Sequence, residues 1–267
     1  MRYIAPPRDS VDPAVFARWP LQGWSEYAAW MQGEHWPSIA ELNAFWPSGQ
    51  RERFVAQTKE LLDDGLHYEQ RIAERGEIAT RETNWHDLFN AMAWLRYPML
   101  KRALNARQMA DIAVMGTRER SRAQYALTHF DEAGVIVILR DHRLLERWEA
   151  HDWYALFWQE RAAWQDGRAT VHLFGHALLE HALTPGKLLV GKALAYVATD
   201  DAADAITVCA QGIEAGELLC DPLDLRPLPL SGLPGWHPES GMETFHRHAA
   251  CYQPRREGRT YPLPILR

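Results

Sequence analysis

Three short stretches of this chain carry side chains that can do chemistry together. Asn84-Trp85-His86-Asp87-Leu88-Phe89-Asn90 sets His86 and Asn90 four residues apart and Asp87 and Asn90 three apart. On a helix these polar groups share one edge. A neutral imidazole beside a carboxylate can be a general base or a metal ligand, so His86 and Asp87 are catalytic candidates. Asn84 and Asn90 are then candidates for holding a substrate. The structural alternative makes Asn84 and Asp87 the N-cap and N3 residues of the helix, with His86 and Asn90 satisfying one another. Gly175-His176-Ala177-Leu178-Leu179-Glu180 puts His176 and Glu180 one turn apart. That spacing suits chelation or a base with its carboxylate, and equally an ordinary helical pair. His172 joins them only if the helix begins before Gly175. Asp131-Glu132 offers paired carboxylates that can ligate a cation, or a solvated turn.

If the three blocks converge in a cleft, His86, Asp87 and His176 are the catalytic set and Asp131, Glu132 and Glu180 the metal ligands. A mixed nitrogen and oxygen donor set suits Zn, Mn or Fe better than Mg or Ca. The reaction class is then hydrolysis of a small or phosphorylated substrate by an activated water. The competing reading is a non-catalytic ligand-binding or regulatory module whose polar motifs are structural. It gains from an aromatic abundance able to line an apolar pocket.

Other motifs lead nowhere chemical. Gly186-Lys187-Leu188-Leu189-Val190-Gly191-Lys192 fits G-x4-G-K, but Ala193 follows where a phosphate loop needs Ser or Thr. Its interior is bulky, and the segment is predicted to be helical. His237, His246, His248 and Cys251 lack the paired spacing of a zinc site. There is no G-x-S-x-G, no H-E-x-x-H and no G-x-G-x-x-G.

The elements that must position the blocks are mostly helices. Apolar residues Trp85, Leu88, Phe89, Met92 and Leu95 recur at spacings of three and four, which predicts a helix over 84–97. Pro98 opens the next, over 98–115. Further helices are expected at 141–149, 152–165, 174–183 and 200–215. Residues 124–139 read as a hairpin turning at Asp131-Glu132-Ala133-Gly134, since Gly134 permits positive φ and Val135-Ile136-Val137-Ile138 is β-branched. A weaker hairpin is expected over 68–78 around Arg75-Gly76, and a short strand over 170–174.

Proline divides the chain in three, with six of sixteen in residues 1–47 and eight in 222–264. Proline interrupts helices and central strands, so the middle is the regular body. Helix starts remain near the N-terminus, at Asp12-Pro13 and at Ser38 with Glu41. Five of the twelve tryptophans lie between Trp19 and Trp46 and need a wall to pack on. The expected fold class is α+β, mainly α, in a single domain over 1–267. A Trp-rich segment (1–50) wraps a helical body (51–221) with one or two small hairpins, and a Pro-rich extended arm (222–267) lies over the surface.

Composition sets outer limits. With 267 residues, 47% hydrophobic and 24% charged, the chain is globular and needs no covalent staples. Its longest aliphatic run is Val135 to Leu139, far short of a membrane span. No apolar leader follows Met1, and three scattered cysteines form no disulfide framework, so a cytoplasmic location is expected. A net charge of −6 argues against nucleic acid as partner and leaves a small-molecule ligand.

Thr80 to Asn90, Trp94 to Pro98 and Ala103-Leu104-Asn105 resemble the signature of a bacterial family of unknown function, domain-of-unknown-function 3025. Leu127 to Gly134, Leu173 to Glu180, Leu228-Pro229-Leu230 and Leu233 to Trp236 are similar to its later blocks. The resemblance spans about residues 67–240, and the tail beyond Trp236 departs from it. It implies no activity. It does place weight on His86, Asp87 and Asn90, on Asp131 and Glu132, and on His176 and Glu180.

Overall fold

The computed structural model describes residues 3–116, 119–198 and 205–266. At its centre is a five-stranded mixed sheet in the order β4-β3-β5-β6. In it β3 (Gly134–Leu139) pairs antiparallel with β4 (Ala169–Leu173) and parallel with β5 (Val190–Val197). Strand β6 (Arg226–Pro229) pairs antiparallel with the start of β5, and β7 (Ile265–Leu266) pairs parallel with its end. Every residue of β3 is buried, as an all-apolar run requires. Alternation then divides the core. Val135, Val137 and Leu139 face one cluster, while Ile136 and Ile138 face another.

The first cluster takes the N-terminal tryptophans and α5 (Trp85–Arg96). Helices α1 (Ala28–Gln32) and α2 (Ile39–Ala44) follow several 3-10 turns, with the expected caps from Asp12 and Ser38 in place. Trp24 is buried with the Arg96 guanidinium 4.0 Å over its ring, and Arg96 donates to the Gly23 carbonyl. The wall that the tryptophans pack on therefore includes both ends of α5, since Trp85 meets Trp36 edge-on. The second cluster joins the sheet to α6 (Pro98–Met115), α7 (Arg122–Ala133) and α11 (Ala205–Glu214).

Mainly α with a smaller β part is the observed class, and several local expectations are corrected. Residues 124–139 are not a hairpin. A capping box between Ser121 and Gln124 starts α7, and Ala123, Ala126, Leu127 and Phe130 form its buried face before the chain enters β3 directly. Gly134 has φ −70°, so its role is proximity and not turning. Residues 68–78 are not a hairpin either. His67 and Gln70 cap α4 (Tyr68–Arg75), and Gly76, in the left-handed region, closes it. Strand β2 (Glu77–Thr80) then pairs parallel with β1 (Arg53–Ala56), separated from it by α3 (Lys59–Leu62) and α4.

Residues 186–192 turn at Gly186 and enter β5 instead of forming a helix, because Thr184-Pro185 has already ended one and Val190–Val197 packs as strand. The start of the C-terminal segment is no surface arm. Leu228, Leu230 and Leu233 are buried, which draws β6 into the sheet. The helix expected over 152–165 is a five-residue π-turn followed by α9 (Arg161–Gln165). Helix α8 (His142–Glu149) and α10 (His176–Ala182) lie within their predicted ranges, and α12 (Glu243–His248) was not foreseen. Of the helix expected over 200–215, residues 200–204 lie outside the described residues. Among the described residues no helix is long and apolar enough to cross a membrane.

Candidate metal centre

Two close backbone approaches bring the second and third sequence blocks together. The amides of Phe174 and Gly175 both donate to the Gly134 carbonyl, at 3.0 and 2.8 Å. A Cβ on Gly175 would lie 2.4 Å from the Gly134 nitrogen and 2.5 Å from the Ala133 main chain. Only glycine lets the start of α10 sit against the end of α7, which sets His176 beside Asp131 and Glu132. Gly175→Ala is therefore expected to lose about 1–3 kcal/mol of stability in urea unfolding, since the obstruction is backbone and cannot swing away. The same substitution displaces His176. A variant of unchanged stability would contradict this account of how the site is held.

Helix α5 supplies the facing histidine. Its apolar face is buried, which turns His86 and Asn90 toward α10 and α6. The Nε2 atoms of His86 and His176 lie 3.0 Å apart, with the rings nearly perpendicular. Glu132 completes a cluster, one carboxylate oxygen 3.9 Å from His86 Nε2 and the other 3.7 Å from His176 Nε2. Among the described residues this is the one group of three or more His, Cys, Asp or Glu ligand atoms so gathered.

Each ring has a carboxylate behind it. Glu180 lies 3.0 Å from His86 Nδ1. The His176 Nδ1 is buried without a normal hydrogen bond and faces Asp131, whose Oδ2 is 3.9 Å away. Asp131 is itself held by Lys101, whose Nζ is 2.5 Å from Oδ1 and 2.6 Å from Asn90 Oδ1. Asn90 in turn donates to the Tyr68 hydroxyl.

Electrostatics separate the two histidines. Burial above all, and then the Lys101 charge, pushes His176 down to about 3, so it is neutral at physiological pH. Burial also acts downward on His86, but its hydrogen bond to Glu180 and the charges of Glu132 and Glu180 outweigh it and raise its pKa. Burial, reinforced by Asp131 and Glu180, lifts Glu132 above the usual carboxylate range. Asp131 would rise on burial, yet Lys101 and His176 bring it below its ordinary value.

The remaining candidates stand outside the cluster, although Asp87 lines the cleft onto which His86 and His176 open. Asp87 is bound through three hydrogen bonds of 2.6–3.0 Å to the backbone amide and guanidinium of Arg81. Asn84 caps α5 by accepting from the Asp87 amide. His172 sits on β4 opposite Ile136. His246 is buried against Tyr252 and the Ser240 carbonyl, away from the cluster.

Sequence reasoning missed Lys101 and Glu69. Both line the same cleft of about 360 Å³ as His86, Asp131, Glu132 and His176. Glu69 accepts from Asn105, and burial pushes its carboxyl up to about 6. The available signal was polarity on an apolar face, because Lys101 and Asn105 are buried in α6 among Leu100, Ala103 and Leu104.

No curated protein and no solved structure matches the chain. The family model described as a protein of unknown function, DUF3025, matches residues 52–256, a stretch that includes every residue of the cluster. The chain belongs to that family.

Proposed function

We propose that this protein is a metal-dependent hydrolase in which His86, His176 and Glu132 hold one divalent cation. The observation that carries the reading is the pair of Nε2 atoms 3.0 Å apart with a carboxylate beside both. Two nitrogens bound at about 2.0–2.1 Å and subtending 90–109° stand about 2.8–3.4 Å apart, so the rings are already spaced as ligands. Two histidines and a glutamate suit Zn, Mn or Fe and leave coordination positions open. A cation there supplies Lewis acidity and a water of lowered pKa.

The protein's own groups do the rest. Glu180 orients His86 and keeps Nδ1 protonated, so that Nε2 presents its lone pair. His176, neutral and the first residue of α10, brings its Nε2 to the same point from the other side. This divides the roles differently from the expectation that put His86, Asp87 and His176 in the catalytic set and Asp131, Glu132 and Glu180 among the ligands. Asn90, Lys101 and Tyr68 form one wall for a small polar or phosphorylated substrate. Glu69, titrating near 6, is placed on that wall to donate a proton.

The test is a panel of phosphomonoesters, phosphodiesters, esters and amides, assayed with Zn, Mn or Fe(II) added separately to the folded protein. Turnover of one class is expected, dependent on one of the metals and abolished in His86→Ala. Glu180→Gln should reduce metal affinity or activity about 10–100-fold. Saturable ligand binding without turnover would favour the second reading, a non-catalytic ligand-binding module. The observation on that side is that 3.0 Å is also the length of a hydrogen bond from one imidazole to the other.

A further inference from the structure

A second cleft, of about 440 Å³, opens where the N-terminal tryptophans meet the turn between α10 and β5. Its lining contains Arg18, Arg161 and Lys187 and no aspartate or glutamate. In a chain of net charge −6 that is a local reversal of sign. Elsewhere the guanidinium groups of Arg53, Arg71, Arg81 and Arg102 all meet carboxylates. Among the described residues the three cations of this cleft form no ion pair. Neutral partners hold two of them instead: Arg161 donates to the Ser240 carbonyl at 2.7 Å, and the Lys187 ammonium lies 4.7 Å over the Tyr3 ring. Their charges are positioned but not neutralised.

One wall is aromatic. Trp19 stacks on Trp236 with ring centres 5.8 Å apart and planes within 9°. Trp19 nevertheless stays 44% exposed, an unusual state for the largest apolar side chain. A flat apolar platform beside three uncompensated cations matches a ligand with a planar body and a compact multiple negative charge. Three cations favour a dianionic phosphate over a singly charged carboxylate, and guanidinium forks fit its oxygens.

We propose that this cleft binds a phosphomonoester carried on a planar heterocycle, a nucleoside monophosphate or a compound of like shape, with the ring on Trp19 and the phosphate among Arg18, Arg161 and Lys187. The site does not depend on the metal centre. It includes Ala182, at the opposite end of α10 from His176.

The experiment is isothermal titration of chelator-treated, full-length protein at low ionic strength with AMP, adenosine and inorganic phosphate in turn, alongside tryptophan fluorescence. AMP is expected to bind saturably at one site, at least about tenfold more tightly than adenosine or phosphate. Arg18→Ala and Lys187→Ala should each weaken it about tenfold, as loss of a charge-assisted hydrogen bond does. His176→Ala should leave it unchanged, which separates this site from the metal centre. Both cation variants alter half-buried or exposed side chains and are checked for an unchanged Tm. Absence of saturable AMP binding overturns the proposal. So does phosphate binding as tight as AMP, or AMP binding that survives both cation substitutions.

Discussion

Lys101→Met is expected to destabilise the protein by about 3 kcal/mol in urea unfolding at pH 7. The ammonium is 3% exposed and bridges Asp131 and Asn90 beneath the two histidines. Removing one partner of a buried pair leaves the other charged and uncompensated, which costs about 3–5 kcal/mol. Asp131 keeps 31% of its side-chain surface in contact with solvent, so the lower end of that range applies. The double variant Lys101→Met with Asp131→Asn should recover most of the loss, because no unpaired charge then remains. The single variant also changes the metal site. Lys101 is one of the charges holding the His176 pKa down, and without it Asp131 draws a proton onto the ring that competes with a cation. Equal stability of Lys101→Met and the parent would show that the pair carries no net interaction.

Acid is expected to weaken the metal-free protein already between pH 6.5 and 5. His176 has a folded pKa of about 3, whereas an unfolded histidine titrates near 6.5. Below pH 6.5 the unfolded chain takes up a proton that the folded one refuses, so stability falls as pH drops. The slope from this one group is about 1.4 kcal/mol per pH unit, or about 2 kcal/mol between pH 6.5 and 5. His86 acts in the opposite sense. Its raised pKa contributes stability that is fully present below 6.5 and is lost as pH rises through the folded value. Other histidines, among them half-buried His172 and buried His246, add to the acid slope through burial. The measurement is therefore a difference: unfolding free energies at pH 7 and 5 for the parent and for His176→Gln. The parent should lose about 2 kcal/mol more than the variant. Equal losses would mean that His176 is protonated as readily in the folded state as in the unfolded one.

What could be read from the sequence was local. The helical spacing of Trp85, Leu88, Phe89 and Met92 marked α5, and Asn84 marked its start, because caps and periodicity act within a few residues. That His86 and Asn90 share α5, and His176 and Glu180 share α10, was legible for the same reason, but the contacts cross between elements, His86 to Glu180 and Asn90 to Lys101. Val135-Ile136-Val137-Ile138 was legible as strand, but its partners were not. It bonds to residues 169–173 and 192–197, and parallel pairing with β5 leaves no turn signal. Gly134 misled because glycine serves both turns and close approach, and here it does the second, since a Cβ on it would run into Phe130. Lys101 was hidden because a lysine on a helix normally faces water. Its burial depends on Asp131 from another element, which periodicity cannot report.

The most direct measurement is metal content by elemental mass spectrometry, on untagged protein purified without chelator, for the parent, His176→Ala and Glu132→Gln. Near-stoichiometric Zn, Mn or Fe is expected in the parent, lost in both variants while circular dichroism shows them folded. Titration of the metal-free parent should restore one cation per chain. A parent that neither retains nor takes up any of the three metals would contradict the metal centre, as would a content unchanged by loss of His176. In either case the 3.0 Å contact between His86 and His176 would be a hydrogen bond within a structural network.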